Sequence, residues 1–258
     1  PIDRAPAGLV RSNTGWFVLD QADRQLHAIR DTGELVTVDP GAFVAVGMLD
    51  SQVVAIAPRR LLVLDSGERT VLQPDWVPAL DLVAGDGLAG QFWVLGRDGE
   101  SMRLGVPVRD GRAARTDWSD TLFPLGARVL ALPGGQAIVV SATAPMQIWR
   151  ARLKDGIPVA VAIGELPALG TEAPVVAGIA RAGCDRVIVT IASLTSAARR
   201  LVVWDLSRAA LAAQSELAGP LTVLGGDIAT GVLWGYAEVT GRPTAVLFSA
   251  TALPQNVP

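Results

Sequence analysis

Short apolar runs, broken by turn-forming residues, recur along the whole chain. Six of them are packed with Val, Ile, Leu, Phe or Trp: Trp16–Asp20, Gln52–Ile56, Gln91–Leu95, Gln136–Ser141, Arg186–Ile191 and Gly231–Tyr236. Such residues favour a pleated, buried surface. The spacing between runs is roughly 40–50 residues, the period of a repeated β-unit. Each run is preceded by another apolar segment, at Gly8–Arg11, Ala42–Val46, Leu80–Ala84, Arg128–Leu132, Val175–Ala180 and Leu221–Leu224. Each is followed, after a polar turn, by a further run, at Gln25–Arg30, Arg60–Asp65, Ser101–Gly105, Met146–Leu153, Arg200–Leu206 and Thr244–Ser249.

Asp31-Thr32-Gly33, Asp65-Ser66-Gly67 and Lys154-Asp155-Gly156 come next. They supply the positive φ that a tight hairpin needs. Outer runs follow, for example Glu34–Val38, Thr70–Leu72 and Pro158–Ile163. Four short strands repeated six times predict an all-β, six-bladed β-propeller of four-stranded antiparallel blades. The blades fall at about 6–40, 41–77, 78–118, 119–167, 168–220 and 221–258 of one domain. The alternatives are a β-sandwich or two small all-β domains. Ser207–Leu217 is alanine-rich but stands where a turn and an outer strand are due. The last blade is short, so Pro1–Ala5 are expected to pair beside it and protect its edge.

Composition narrows the function classes. The chain has 258 residues, is 50% hydrophobic and carries a formal net charge of −3. Lys154 is the only lysine, and the arginines are scattered, so no nucleic-acid groove is expected. Cys184 stands alone, which excludes an internal disulfide and a cysteine zinc cage. No apolar run reaches the roughly 18 residues of a membrane span. The chain starts at Pro1. If a signal or anchor preceded it, an exported or periplasmic location is the expectation. Mean hydropathy is +0.38, which a Val-, Ala- and Leu-rich core explains in part and an apolar interface in part.

The segment Ile29-Arg30-Asp31-Thr32-Gly33-Glu34-Leu35-Val36, followed by Asp39-Pro40-Gly41-Ala42-Phe43, resembles the broad superfamily of six-bladed propellers that includes NHL-type and TolB-like domains. The resemblance covers the chain as a pattern, with no motif repeated faithfully. Leu201-Val202-Val203-Trp204-Asp205-Leu206 looks like the end of a WD40 repeat, but only this blade carries it. Calcium-dependent lactonases of the gluconolactonase and paraoxonase type resemble the chain in architecture. That resemblance would imply a cage of Glu, Asn and Asp oxygens. Asn13 and Asn256 are the only asparagines, and the acids nearest the inner strands, Asp81 and Asp227, are too few. The repeated signatures of quinone-binding dehydrogenases and of fucose-binding lectins are missing. No cofactor and no metal are expected.

His27, the only histidine, sits in Gln25-Leu26-His27-Ala28-Ile29 and is read as a strand residue away from the loops, not as a triad base. Cys184 is read as a turn residue, and Gly134-Gly135 and Gly225-Gly226 as hairpin turns. Trp16, Trp93, Trp149, Trp204 and Trp234 fall within strands and are expected to fill the spaces between blades. Trp76 and Trp118, in Asp75-Trp76 and Asp117-Trp118, are placed in blade-to-blade connections. Those connections share one face with Arg97, Asp98, Glu100, Arg199, Arg200, Glu238 and Arg242. Exposed aromatics beside arginines are enriched at protein-binding hot spots. A non-enzymatic protein-binding or scaffold propeller, a subunit of a larger assembly, is therefore expected. Trp76, Trp118, Asp75, Asp117, Arg97, Arg199, Arg200 and Arg242 form its binding face. The alternative is a hydrolase or lyase at the channel mouth, using Asp81 or Asp227.

Overall fold

The structure is a computed structural model. It describes residues 6–12, 14–20, 23–32, 34–49, 52–58, 60–65, 68–72, 80–88, 91–110, 113–141, 143, 145–167, 174–183, 185–193, 199–217, 221–227, 232–239 and 242–249. Every apolar run identified above becomes a strand. Blade one is β1 (Pro6–Ser12), β2 (Gly15–Asp20), β3 (Leu26–Ile29) and β4 (Leu35–Asp39). Blade two is β5 (Ala45–Leu49), β6 (Gln52–Ala57), β7 (Arg60–Asp65) and β8 (Glu68–Leu72). Blade three is β9 (Asp81–Leu88), β10 (Gln91–Asp98), β11 (Ser101–Asp110) and β12 (Ala113–Pro124). Blade four is β13 (Arg128–Leu132), β14 (Gln136–Val140), β15 (Gln147–Lys154) and β16 (Ile157–Glu165). Blade five is β17 (Pro174–Arg181), β18 (Arg186–Ser193), β19 (Arg199–Asp205) and β20 (Ala210–Leu217). A last sheet holds β21 (Leu221–Asp227), β22 (Val232–Val239) and β23 (Arg242–Ser249).

Within each sheet the strands lie in chain order. The first strands of successive sheets, β1, β5, β9, β13, β17 and β21, touch one another in turn. This is the architecture of a β-propeller. The expectation of six four-stranded blades is corrected: five blades have four strands, and the final sheet has three. Beyond Ser249 the sequence carries Pro254 and Pro258, which cannot donate to a ladder. Pro1–Ala5, expected to pair with that sheet, lie outside the described residues. The Ala-rich segment is strand β20, preceded by a turn at residues 206–209, as its position required.

The core lies between sheets, and strand alternation sorts it. In β10, Trp93 and Leu95 pack toward blade four, while Phe92 and Val94 pack toward blade two. In β14, Ala137 and Val139 face blade three, while Ile138 and Val140 face blade five. A strand buried on both faces must be apolar at successive positions, hence the continuous runs. The β15–β16 hairpin turns on Asp155 (φ 53°) and Gly156 (φ 82°), the two positive values of a type I′ turn.

Close approach at the inner strands explains their small residues. A Cβ on Gly47 would lie 2.6 Å from the backbone nitrogen of Gly87, and one on Gly87 would lie 2.6 Å from the Phe92 ring. Gly87→Ala is therefore expected to overpack the contact between blades two and three and to cost about 1–3 kcal/mol. Urea unfolding should show a lower midpoint with an unchanged slope.

Candidate functional site

Antiparallel order in every blade puts two kinds of segment at one end of the propeller. These are the turns between second and third strands, and the connections from one blade to the next. The end of β10 brings Arg97 there, and the starts of β19 and β23 bring Arg199, Arg200 and Arg242. Arg97 is exposed, and its Nε donates to Gly99 O at 3.1 Å. Asp98 pairs with Arg103 at 2.6 Å, and Arg103 Nη1 also donates to Ser119 O at 3.2 Å. Arg199 and Arg200 are half-buried, and Arg200 pairs with Glu216 at 3.2 Å. Asp75 and Trp76 lie outside the described residues, as do Cys184 and the side chains of Trp234, Glu238 and Arg242.

Asp117 and Trp118 are not in a connection. Blade three extends to Pro124, so both lie inside β12, where Trp118 pairs with Gly105. Asp117 accepts from Arg115 of the same strand at 3.1 Å. The Trp118 ring covers Gly96 and Gly105, where a Cβ would collide with it, and packs into the core between blades two and three. The Asp-Trp pair resembled a loop because polar residues surround it, at Arg115, Thr116, Ser119 and Asp120. An outer strand tolerates such residues on its solvent side. Trp93, Trp149 and Trp204 are buried between blades, with Trp149 edge-on to Phe123 at 5.2 Å. Trp16 departs from that expectation, being 41% exposed at the start of β2.

Beside Arg97 the same end of the molecule opens into a cavity of about 300 Å³ between blades three and four. Val83 and Leu125, both exposed, line it with Met102, and Arg97 and Arg128 stand at it. Arg128 Nε reaches Val176 O of blade five at 3.5 Å. The sequence reading missed this group, although Leu125 in the turn Pro124-Leu125-Gly126 is an apolar residue where a polar one is usual.

Near the opposite end, the inner strands carry a second group. Asp86 of β9 accepts from Ala131 N of β13 at 2.9 Å. Arg181 of β17 donates to Ala131 O at 2.6 Å and to Asp86 at 3.3 Å. One residue on the channel edge of blade four thus has both backbone groups held by its neighbours. Burial pushes the Asp86 carboxyl above its ordinary value, against the opposing pull of the Arg181 charge and the Ala131 and Gly87 amides. Asp81, the acid expected at the channel, is exposed at the other end of β9. Asp227 closes β21, with its side chain outside the described residues.

No model of a protein family and no curated protein sequence matches the chain. Solved structures do. The Cps50 (Swd1) β-propeller domain of Myceliophteria thermophila is 10% identical with a TM-score of 0.56, over 94% of this chain and 96% of that one. TolB from Acinetobacter baumannii is 12% identical with a TM-score of 0.59, over 94% of this chain but only 60% of that one. An oligogalacturonate lyase in complex with manganese is 9% identical with a TM-score of 0.59, over 98% and 76%. At such identities the likeness shows the propeller fold alone.

Trp118→Ala should leave a void over Gly96 and Gly105 and cost about 3 kcal/mol in urea unfolding, the low end for a packed aromatic because Trp118 is only partly buried. Asp86→Asn should gain on the wild type as pH rises above about 4. In that window the folded chain, with its raised Asp86, binds more protons than the unfolded chain. Wild-type stability therefore falls as pH rises toward the raised value, and the difference in urea midpoint between the two proteins should widen in the same direction.

Proposed function

We propose that this chain is a non-enzymatic protein-binding or scaffold propeller and a subunit of a larger assembly. It docks its partner on the end that carries the blade-to-blade connections. The observation that carries this reading is the cavity between blades three and four. Exposed Val83 and Leu125 stand there beside the exposed Arg97. Arginine is enriched at interaction hot spots, and Val83 and Leu125 add exposed apolar surface beside it. Arg199, Arg200 and Arg242 stand at strand starts on the same end, and the proposed face takes in Asp75 and Trp76, which lie outside the described residues. Trp118 and Asp117 belong to it only indirectly, by fixing the edge of blade three.

The other reading is a hydrolase or lyase at the channel mouth. Its support is the raised carboxyl of Asp86, since perturbed groups cluster at active sites. That carboxylate already accepts the Ala131 amide and the Arg181 guanidinium, an arrangement that ties three blades together. Binding is therefore the preferred reading.

Arg97→Glu combined with Leu125→Asp should reduce recovery of the native partner about tenfold, a loss of roughly 1.4 kcal/mol, with the unfolding midpoint little changed. Quantitative co-purification from the native source measures it. Equal recovery by wild type and variant would remove this face from the reading.

A further inference from the structure

We propose that the β2–β3 turn of blade one binds a single divalent cation of the zinc type, through Asp20, Asp23 and His27. One ligand atom from each of the three side chains lies within 4.8 Å of the other two. The ladder brings them together. Val18 pairs with His27 and Leu19 with Leu26. Alternation then puts Asp20, two residues beyond Val18, on the same face as His27. The turn is closed by Asp20 N donating to Gln25 O at 3.0 Å. Asp23 N donates to Asp20 Oδ1 at 3.2 Å, and Gln25 N to Asp23 Oδ1 at 3.0 Å. Both carboxylates are thereby oriented by backbone amides.

The imidazole separates this group from an ordinary acidic turn. His27 is held from outside the turn by β4, where Thr37 Oγ1 lies 3.3 Å from its Nδ1. A hydrogen-bonding partner on a ring nitrogen fixes the orientation of a ligating histidine, as outer-shell groups do. Asp20 is also 7% exposed, so the site reaches beneath the surface.

The donor set selects the cation. One nitrogen and two carboxylate oxygens suit zinc and its transition-metal neighbours. Calcium takes six to eight oxygens, more than this turn offers. Ligand atoms around tetrahedral zinc are roughly 3.3 Å apart at bond lengths near 2.0 Å. The turn needs only a small closure to reach that. Three protein ligands leave one position to water.

The test uses the full chain without a histidine tag, treated with chelator and dialysed against micromolar zinc chloride. The expected result is one zinc per chain by elemental analysis and a raised unfolding temperature. His27→Gln and Asp23→Asn should each abolish both. Thr37→Val should weaken binding about tenfold. Cobalt should give a visible absorption band that His27→Gln removes. Calcium and magnesium should leave the unfolding temperature unchanged. Circular dichroism establishes that each variant is folded. If His27→Gln is not, Asp23→Asn in the turn decides. No zinc bound at micromolar concentration, or the same stoichiometry in a folded variant as in the wild type, would overturn the proposal.

Discussion

Two-sided burial of the sheets is the constraint on which the rest of this molecule depends. No helix covers any blade among the described residues, so each inner blade must use its neighbours as cover. The second strands β6, β10 and β14 therefore carry apolar side chains toward both sides, and the core among the described residues is a series of layers between sheets. A substitution in β10 or β14 is felt at one of two interfaces, and its parity decides which. This is also why mean hydropathy is high without any membrane-length segment.

Packing of that kind demands partners of matched volume, and the large aromatic rings find theirs in glycines. Trp118 lies over Gly96 and Gly105, and Trp204 of blade five lies against Gly164 of blade four. Each pair sets how near two strands or blades can come. The same need for closeness rules the axis, where Gly47 and Gly87 meet backbone to backbone. Inner strands also present an edge with no further strand to pair. The ties of Asp86 and Arg181 to Ala131 satisfy part of that edge with side chains, since leaving such groups unpaired in a buried place is costly.

The fold was largely legible in the sequence because two-sided burial writes itself as period and run length. The central runs all became second strands, and Asp155-Gly156 made the expected turn. Legibility failed where burial is one-sided. β12 is an outer strand, polar on its solvent side, so Arg115-Thr116-Asp117-Trp118-Ser119-Asp120 read as a connection, although the ladder runs through it. It failed again where contacts are distant in sequence. Asp86 and Arg181 are 95 residues apart, and nothing local in either segment announces the other. The sequence sets His27 away from the loops because alternation alone fixes a face and not a height along the strand. The register brings it within reach of Asp20 and Asp23.

These failures redirect the functional argument. An aromatic residue beside an acid is a poor marker of a docking surface in a propeller, since the spaces between blades consume most of the tryptophans. Trp93, Trp149 and Trp204 are buried there, and Trp118 is packed over glycines. What distinguishes a surface is the apolar residue that packing leaves over. Val83 and Leu125 have no layer to fill at the end of the gap between blades three and four, and Arg97 stands beside them. An apolar residue left outside the layers between blades is the better pointer to a partner, and that shifts the centre of the proposed interface from the tryptophans to this gap.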